Sequence, residues 1–177
     1  MQCGTSKWNV IAFCNLLSSM SQLDKHDHHL LRLLQNDSRL SQSDLGDQVH
    51  LSAAAVNRRL KRLLDDGVIA KYGTVLNRAA LGHPLTVITE VETHSEQIEL
   101  LDAMRATFSA CPQVQQCYYV TGEWDFILIF VVQDMAQYTA LARQLFFENN
   151  NVKRFRTLVS MDIVKASMNV PIGWSPA

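Results

Sequence analysis

Hydrophobic residues between positions 41 and 67 fall at helical spacing in two short blocks. In the first block, Leu45 and Val49 are four residues apart and form one apolar side. The apolar residues of the second block recur at i, i+4 and i+7 and are Val56, Leu60 and Leu63. Because only a sharp bend fits between the blocks, the pattern predicts a helix-turn-helix.

Polar residues mark the ends of these two helices. Ser41 precedes the first helix, and Asp44 three residues later completes a capping box. Ser52 is placed to cap the second helix, and Gly67 follows it at the left-handed position that favours glycine. The second helix therefore spans the residues between Ser52 and Gly67.

A further helix is predicted upstream, opened by Asp24 with Asp27 at its third position. Its core stripe consists of Leu30, Leu31 and Leu34. Three histidines lie near its start, at 26, 28 and 29, but no cysteine or carboxylate stands at a metal-ligand spacing. We favour an exposed helix start over a metal site and predict no bound metal.

The second half of the chain alternates strands with helices. The predicted strands are Leu85–Glu92, Val114–Thr121, Phe126–Val132 and Arg156–Val164, and the predicted helices are Glu96–Ala110 and Met135–Phe147. The order βαββαβ is that of a ferredoxin-like unit, so the fold class is α+β. Such a sheet leaves one face uncovered by its own helices, and an apolar open face predicts a dimer.

The predicted domains follow from these elements. Residues 20–70 form the helix-turn-helix domain, 71–84 a linking strand and hinge, 85–166 the βαββαβ domain, and 167–177 a C-terminal tail. After Gly67, residues 68–77 contain two β-prone pieces, interpreted as a wing or a linking strand.

Residues 1–19 show no pattern continuous with these domains. The apolar run Trp8–Leu17 is too short to span a membrane. We interpret the segment as an extension outside the fold; the alternative is a helix that docks on a partner subunit.

The charge of the chain is unevenly distributed. The 177 residues carry a formal net charge of −1, but residues 57–78 hold six cations against two anions. The 47% hydrophobic content is that of a globular chain. The local basic patch, rather than the whole-chain charge, is therefore the feature suited to a polyanion.

The exposed side of the second helix begins with small residues and becomes basic, as expected of a recognition helix in the major groove. Asn57 can pair with adenine and Arg58 with guanine, while later cations meet phosphates. The predicted DNA-binding residues are Ser52, Ala54, Asn57, Arg58, Lys61 and Arg62. A solvated basic face of an ordinary helical hairpin is the alternative.

Enzyme signatures are weak. Cys111 and Cys117 lack a second pair or a histidine positioned for zinc, and no nucleophile elbow, P-loop or HExxH motif occurs. The four cysteines are interpreted as reduced thiols of a cytoplasmic protein. We predict no cofactor and no catalytic residues.

The sequence resembles the Lrp/AsnC transcriptional regulators over about residues 22–166. The matching residues fall in both halves and are Leu23, Asp24, Asp27, Leu51, Ser52, Val56, Arg59, Asp66, Gly67, Val68, Ile69, Thr121, Gly122, Asp125, Phe126, Arg156, Thr157, Val164 and Lys165. The resemblance implies a winged helix-turn-helix joined to a ligand-sensing domain that dimerises through its sheet. It also implies assembly of dimers into rings, with an octamer favoured. No membrane partner is predicted, since the one long apolar run is too short to span a bilayer.

The same resemblance implies a small effector, usually an amino acid, bound between dimers near the Gly-x-x-Asp turn. The implied effector residues are Gly122, Trp124, Asp125, Leu158, Val159 and Ser160. The recognition helix opens Ser52-Ala53-Ala54-Ala55 where well-known members have Pro, Thr and Cys, so no target sequence is transferred. A simple hairpin turn, with Asp125 bonded to its own backbone, is the alternative interpretation of this site.

Two other functions remain open from the sequence. Siroheme-decarboxylase-like enzymes resemble these regulators in both halves, but they call for a histidine near the second sheet strand, where this chain has Tyr118 and Tyr119. The other is a nucleoid-organising protein that binds DNA without an effector.

Overall fold

The computed structural model describes residues 23–173, which form two compact units. Among the described residues, one unit contains 23–74 together with 167–173, and the other is Val75–Ala166. The predictions made for residues 1–19 lie outside the described residues.

Three helices build the first unit: α1 (Lys25–Asn36), α2 (Gln42–Val49) and α3 (Ala53–Asp65). Capping boxes open α1, through Asp24 and Asp27, and α2, through Ser41 and Asp44. Ser52 caps α3 by accepting a hydrogen bond from the Ala55 N–H. The predicted helix-turn-helix is confirmed, as are its caps.

The turn between α2 and α3 requires two unusual backbone features. His50 adopts the left-handed conformation at φ 58°, and the Leu51 N–H donates to the Gly46 carbonyl at 2.9 Å. A Cβ atom on Gly46 would lie 2.4 Å from the Leu51 carbonyl oxygen. The bend therefore depends on a glycine inside α2.

One side of each helix is buried in a common core. Its fully or almost fully buried residues are Leu30, Leu31, Leu45, Val49, Val56, Leu60 and Leu63. Burial of such a side chain contributes roughly 1.5–3 kcal/mol relative to exposure. The three predicted apolar stripes thus form the core, with Leu34 packed at its margin.

No strand follows α3 within the single chain, so the predicted wing or linking strand is not seen there. Gly67 ends the helix at φ 70°, and Val68 and Ile69 pack against the core, but residues 70–77 are exposed and form no strand. A β-prone segment needs a neighbouring strand to hold it in a ladder, and the described part of this chain places none beside it.

The second unit contains a four-stranded antiparallel sheet in the order β2-β3-β1-β4, with two helical segments. Its elements are β1 (Leu85–Thr93), α4 (Ile98–Ala110), β2 (Val114–Tyr119), β3 (Phe126–Val132), α5 (Met135–Ala142) and β4 (Val152–Val159). A π-helical turn, Arg143–Phe147, continues α5. The α+β class and the βαββαβ order are confirmed.

Helices cover one face of this sheet. Alternate residues of β1 and β3 point into a core that also holds Phe108, Phe146 and Tyr138. Phe108 packs edge-on against Phe126 at 5.4 Å between ring centroids. The buried Tyr138 hydroxyl lies 2.9 Å from the Thr89 hydroxyl and 2.6 Å from that of Thr157, so this polar group is satisfied.

The last strand differs from its prediction by several residues. The sequence predicts Arg156–Val164, whereas β4 begins at Val152 and ends at Val159. β4 can include charged residues near its start because they lie on the open face of the sheet, where Arg154 is opposite Glu92. Residues 161–166 are exposed and lie outside the sheet, although Met161 and Val164 are apolar.

The C-terminal segment returns to the three-helix unit. The Gln35 side-chain amide donates to the Val170 carbonyl at 3.1 Å, and its oxygen accepts from the Val170 N–H at 2.6 Å. Ile172 packs against the helical core. The described part of the predicted tail, residues 167–173, is therefore part of this unit.

Candidate DNA-binding surface and effector turn

The face of α3 opposite the core is exposed and carries the predicted contact residues. Ser52, Ala54, Asn57, Arg58 and Lys61 are all exposed. Val56, Leu60 and Leu63 fix the rotation of the helix, because each has at most 8% of its surface exposed. The surface thus presents small side chains first and two cations later, on a helix whose orientation within the unit is fixed.

Arg62 differs from the other predicted DNA-binding residues. Its Nη2 donates to Asp27 Oδ2 at 2.5 Å, and its side chain is 39% exposed. Arg59 reaches the same region, donating to Asp24 Oδ2 at 2.7 Å and Asp27 Oδ1 at 2.8 Å. Arg62 thus has a partner within the protein, and its contact with DNA stays a prediction.

Asp27 is the buried centre of a charged cluster that joins α1 to α3. Its carboxylate is fully buried and accepts hydrogen bonds from Arg59, Arg62 and the Asp24 N–H. Burial raises the pKa of Asp27, but these three donors more than offset that effect and hold its pKa below the ordinary value. The Asp27 N–H and Arg59 lower the pKa of Asp24 to about 2. We name these four side chains, Asp24, Asp27, Arg59 and Arg62, the carboxylate clamp.

A second contact links α2 to α3 at the exposed surface. The Nε2 of Gln42, the first residue of α2, donates to Asn57 Oδ1 at 3.1 Å. Asn57 is identifiable from the sequence but Gln42 is not, because residues fifteen apart show no periodic relation that would pair them.

The predicted effector turn lies between β2 and β3. Gly122 has φ 131°, a conformation that favours glycine, and the Asp125 N–H donates to the Val91 carbonyl at 2.9 Å. Asp125 Oδ2 accepts from both the N–H and the hydroxyl of Thr93, at 2.7 and 2.9 Å. Asp125 therefore ties the turn to the end of β1 with one of its two carboxylate oxygens.

Trp124 has cationic neighbours that the sequence alone does not predict. The guanidinium carbons of Arg154 and Arg156 lie 4.6 and 5.3 Å from its ring centroid, within cation–π range. Both arginines also bind carboxylates: Arg154 binds Glu92 and Glu123, and Arg156 binds Glu90. Opposite charges on the facing strands β1 and β4 indicate these ion pairs. They can be matched only when the register of the two strands is known.

The remaining predicted effector residues lie elsewhere on the same protomer. Leu158 pairs with Ile88, and the Ser160 N–H donates to the Thr86 carbonyl at 3.0 Å. Asp125 bonds to Val91 and Ser160 bonds to Thr86, five residues away on β1, which is roughly 16 Å along a strand. Asp125 and Ser160 thus lie apart in the single chain.

The sheet face without helices carries an apolar patch next to these charged residues. Ile88 lies opposite Ile129 on one side and Leu158 on the other. Leu158 is 44% exposed. The patch is of the kind that subunits cover on association.

Other chemistry finds little support in the described residues. Within residues 23–173, no group of three or more His, Cys, Asp or Glu side chains is arranged to hold a metal ion. Burial raises the pKa of the Cys117 thiol, which disfavours the reactive thiolate. None of the helices in this part of the chain is long and apolar enough to cross a bilayer.

Comparison with known proteins assigns both units. Residues 23–70 match the family model for a winged helix-turn-helix DNA-binding domain, and residues 86–170 match that of the Lrp/AsnC ligand binding domain. The HTH-type transcriptional regulator y4tD of Sinorhizobium fredii is 40% identical over 151 residues, covering 85% of this chain and 89% of that protein.

Two solved structures share the fold over most of their length. An AsnC family transcriptional regulator from Agrobacterium tumefaciens is 30% identical with a TM-score of 0.80, covering 84% of this chain and 97% of that one. The transcriptional regulator NMB0573 from Neisseria meningitidis, solved as an L-Met complex, is 25% identical with a TM-score of 0.81, covering 86% and 98%.

Proposed function

Because the chain belongs to the Lrp/AsnC family of transcriptional regulators, we propose that α3 reads a specific DNA sequence and that an amino acid controls the process. The observation that carries the DNA-binding half is the exposed face of α3, where Asn57, Arg58 and Lys61 project beside small residues. Donors for base edges and cations for phosphates are thereby placed on one rigid helix.

Arg58→Ala and Lys61→Ala are expected to have different effects on DNA binding, the first on base discrimination and the second on overall affinity. Arg58 lies earlier on the helix and has the fork that matches guanine, so its loss should lower discrimination at one base position by about 1–3 kcal/mol. Lys61 contacts phosphate, so Lys61→Ala should weaken binding to all sequences alike. Competition binding to duplexes that differ at single positions measures both effects.

Arg39→Ala is the matched control, since Arg39 is an exposed arginine outside α3 that is paired with Asp37. It should bind DNA as the unmodified protein does. Parental affinity and selectivity in both the Arg58 and Lys61 variants would show that α3 is not the reading helix.

The proposed effector site rests on the turn that contains Asp125 and on the separation of this turn from the other predicted effector residues, Leu158–Ser160. Asp125 Oδ2 is occupied by Thr93, but Oδ1 accepts no hydrogen bond from the described residues. An ammonium group buried without a carboxylate would be costly, so Oδ1 is a suitable anchor. The related N. meningitidis regulator was solved with L-Met, which supports an amino acid as the ligand.

Assembly would complete this site. Because the turn and Leu158–Ser160 lie apart in one protomer, we propose that neighbouring protomers supply the two parts of one pocket. The apolar open face around Ile88 would form the dimer, and dimers would associate further, with an octamer favoured. An amino acid would then stabilise whichever assembly forms the pocket, by its differential affinity for that state.

Asp125→Asn is the variant suited to test this site. Its carbonyl oxygen can still accept both hydrogen bonds from Thr93, while the anion that would bind an ammonium is lost. The twenty common amino acids are first screened by thermal shift, because a specific ligand raises the unfolding temperature. Asp125→Asn should lose the shift, and sedimentation velocity should show no ligand-dependent change in assembly.

Glu123→Gln removes one charge from the same turn and serves as the control. It is expected to keep the response, because Glu123 is an exposed partner of Arg154. A full ligand-dependent change in the Asp125→Asn protein would place the effector site elsewhere.

A further inference from the structure

Two side-chain amides meet where α2 passes the exposed face of α3. Gln42 Nε2 donates to Asn57 Oδ1 at 3.1 Å, and both residues are exposed. Asn57 shares its face with Arg58 and Lys61, at the surface proposed to read DNA. Gln42 therefore holds the side chain of Asn57, which would face a base edge in the proposed DNA complex.

The contact determines what Asn57 can offer to DNA. An isolated asparagine amide on a surface rotates freely and presents either its donors or its acceptor. Donation from Gln42 occupies one lone pair of Oδ1 and turns the two Nδ2 hydrogens away from α2. Asn57 then presents two donors together with one remaining acceptor lone pair.

That pattern matches one base. In the major groove adenine offers N7 as an acceptor and its N6 amino group as a donor, and a bidentate amide satisfies both. We propose that Gln42 is a positioning residue that sets the amide of Asn57 for adenine. This inference rests on the proposed DNA-binding function and adds to it a residue on α2 that determines base preference.

The physical basis is pre-organisation. Fixing a flexible side chain on binding costs free energy, and a side chain already held by Gln42 has paid part of that cost. Exposed hydrogen bonds of this kind contribute little to folding. The effect should therefore appear in base preference and not in stability.

Selection from a random duplex library, followed by sequencing, tests the proposal with the purified full-length protein. The unmodified protein should prefer adenine at one position of its site. Gln42→Ala should reduce that preference about fivefold and leave the other positions unchanged. Asn57→Ala should abolish it, and the Gln42→Ala/Asn57→Ala double variant should match Asn57→Ala alone.

Gln42→Glu supplies a directional readout. A carboxylate only accepts hydrogen bonds, so the Asn57 amide must turn its Nδ2 toward α2 and present Oδ1 outward. Preference at the same position should then move away from adenine toward cytosine, whose N4 amino group donates. Gln48→Ala, a change of an exposed glutamine on the same helix, should alter nothing.

Several outcomes would overturn the inference. Adenine preference that survives Gln42→Ala would do so, as would a uniform loss of affinity for all sequences, which indicates a phosphate contact. Additive effects in the double variant would also contradict it. Failure of the unmodified protein to enrich any sequence would instead refute sequence-specific DNA binding itself.

Discussion

Asp27→Ala is expected to lower the free energy of unfolding of the DNA-binding unit by about 2 kcal/mol, because the hydrogen bonds that its buried carboxylate accepts from Arg59, Arg62 and the Asp24 N–H are lost. Asp27 is fully buried, and its carboxylate holds Arg59 and Arg62 of α3 against α1. Hydrogen exchange of the α3 amides measures the effect on this unit without requiring the whole chain to unfold in one step.

Asp102→Ala is the matched control. Asp102 is 63% exposed and pairs with Arg105 on the surface of α4, so its loss should cost at most about 1 kcal/mol. Equal losses in the two variants would contradict the view that burial makes the carboxylate clamp important.

The carboxylate clamp also predicts how stability depends on pH. Asp24 and Asp27 have lowered pKa values in the folded protein, so their contribution is present in full above the unfolded value of about 4. It is lost as pH falls through the folded pKa, which is about 2 for Asp24. Acid titration of α3 amide exchange should show this loss below pH 4. Asp27→Ala should remove the part that comes from Asp27, while Asp24 keeps its own part through the backbone N–H of residue 27 and Arg59.

Gly46→Ala is expected to destabilise the same unit by about 2–3 kcal/mol, with defects in DNA binding as a consequence. Alanine normally improves a helix interior by about 0.5–1 kcal/mol over glycine. Here the added Cβ would lie 2.4 Å from the Leu51 carbonyl oxygen, and a backbone atom cannot move aside as the end of a side chain can. A glycine-to-alanine change that usually stabilises a helix is therefore expected to destabilise this one.

Gly73→Ala provides the control from the same unit. Nothing lies within 4 Å of a Cβ at Gly73, and its φ is not in the left-handed region. Chemical denaturation should show this variant to be neutral or slightly stabilised. If Gly46→Ala behaves the same way, α2 and α3 do not approach as closely as described.

Local patterns were sufficient to predict the elements that depend on nearby residues. The capping boxes of α1 and α2, the apolar stripe of α3 and the bounds of β3 all follow from spacings of a few positions. These features depend on hydrogen bonds and burial that each helix or strand creates for itself. The resemblance of two motif sets then identified the family, which the match to both domains confirms.

Features set by distant residues were missed. Asp27 was predicted only as a capping residue, since its contacts with Arg59 and Arg62 cross more than thirty positions. The start of β4 was placed too late because its charged residues are explained only by Glu92 across the sheet. The strand predicted after Gly67 did not form, because β propensity becomes structure only with a partner strand.

The return of the C-terminal segment to α1 makes the DNA-binding unit a discontinuous domain. A protease that cuts once in the exposed residues 70–77 would not free the three helices, since Gln35 and the helical core still hold Val170 and Ile172. A fragment that stops at Thr74 would lack those contacts and expose part of the core. A fragment that preserves all the contacts of the helical unit must therefore combine residues 23–74 with residues 167–173.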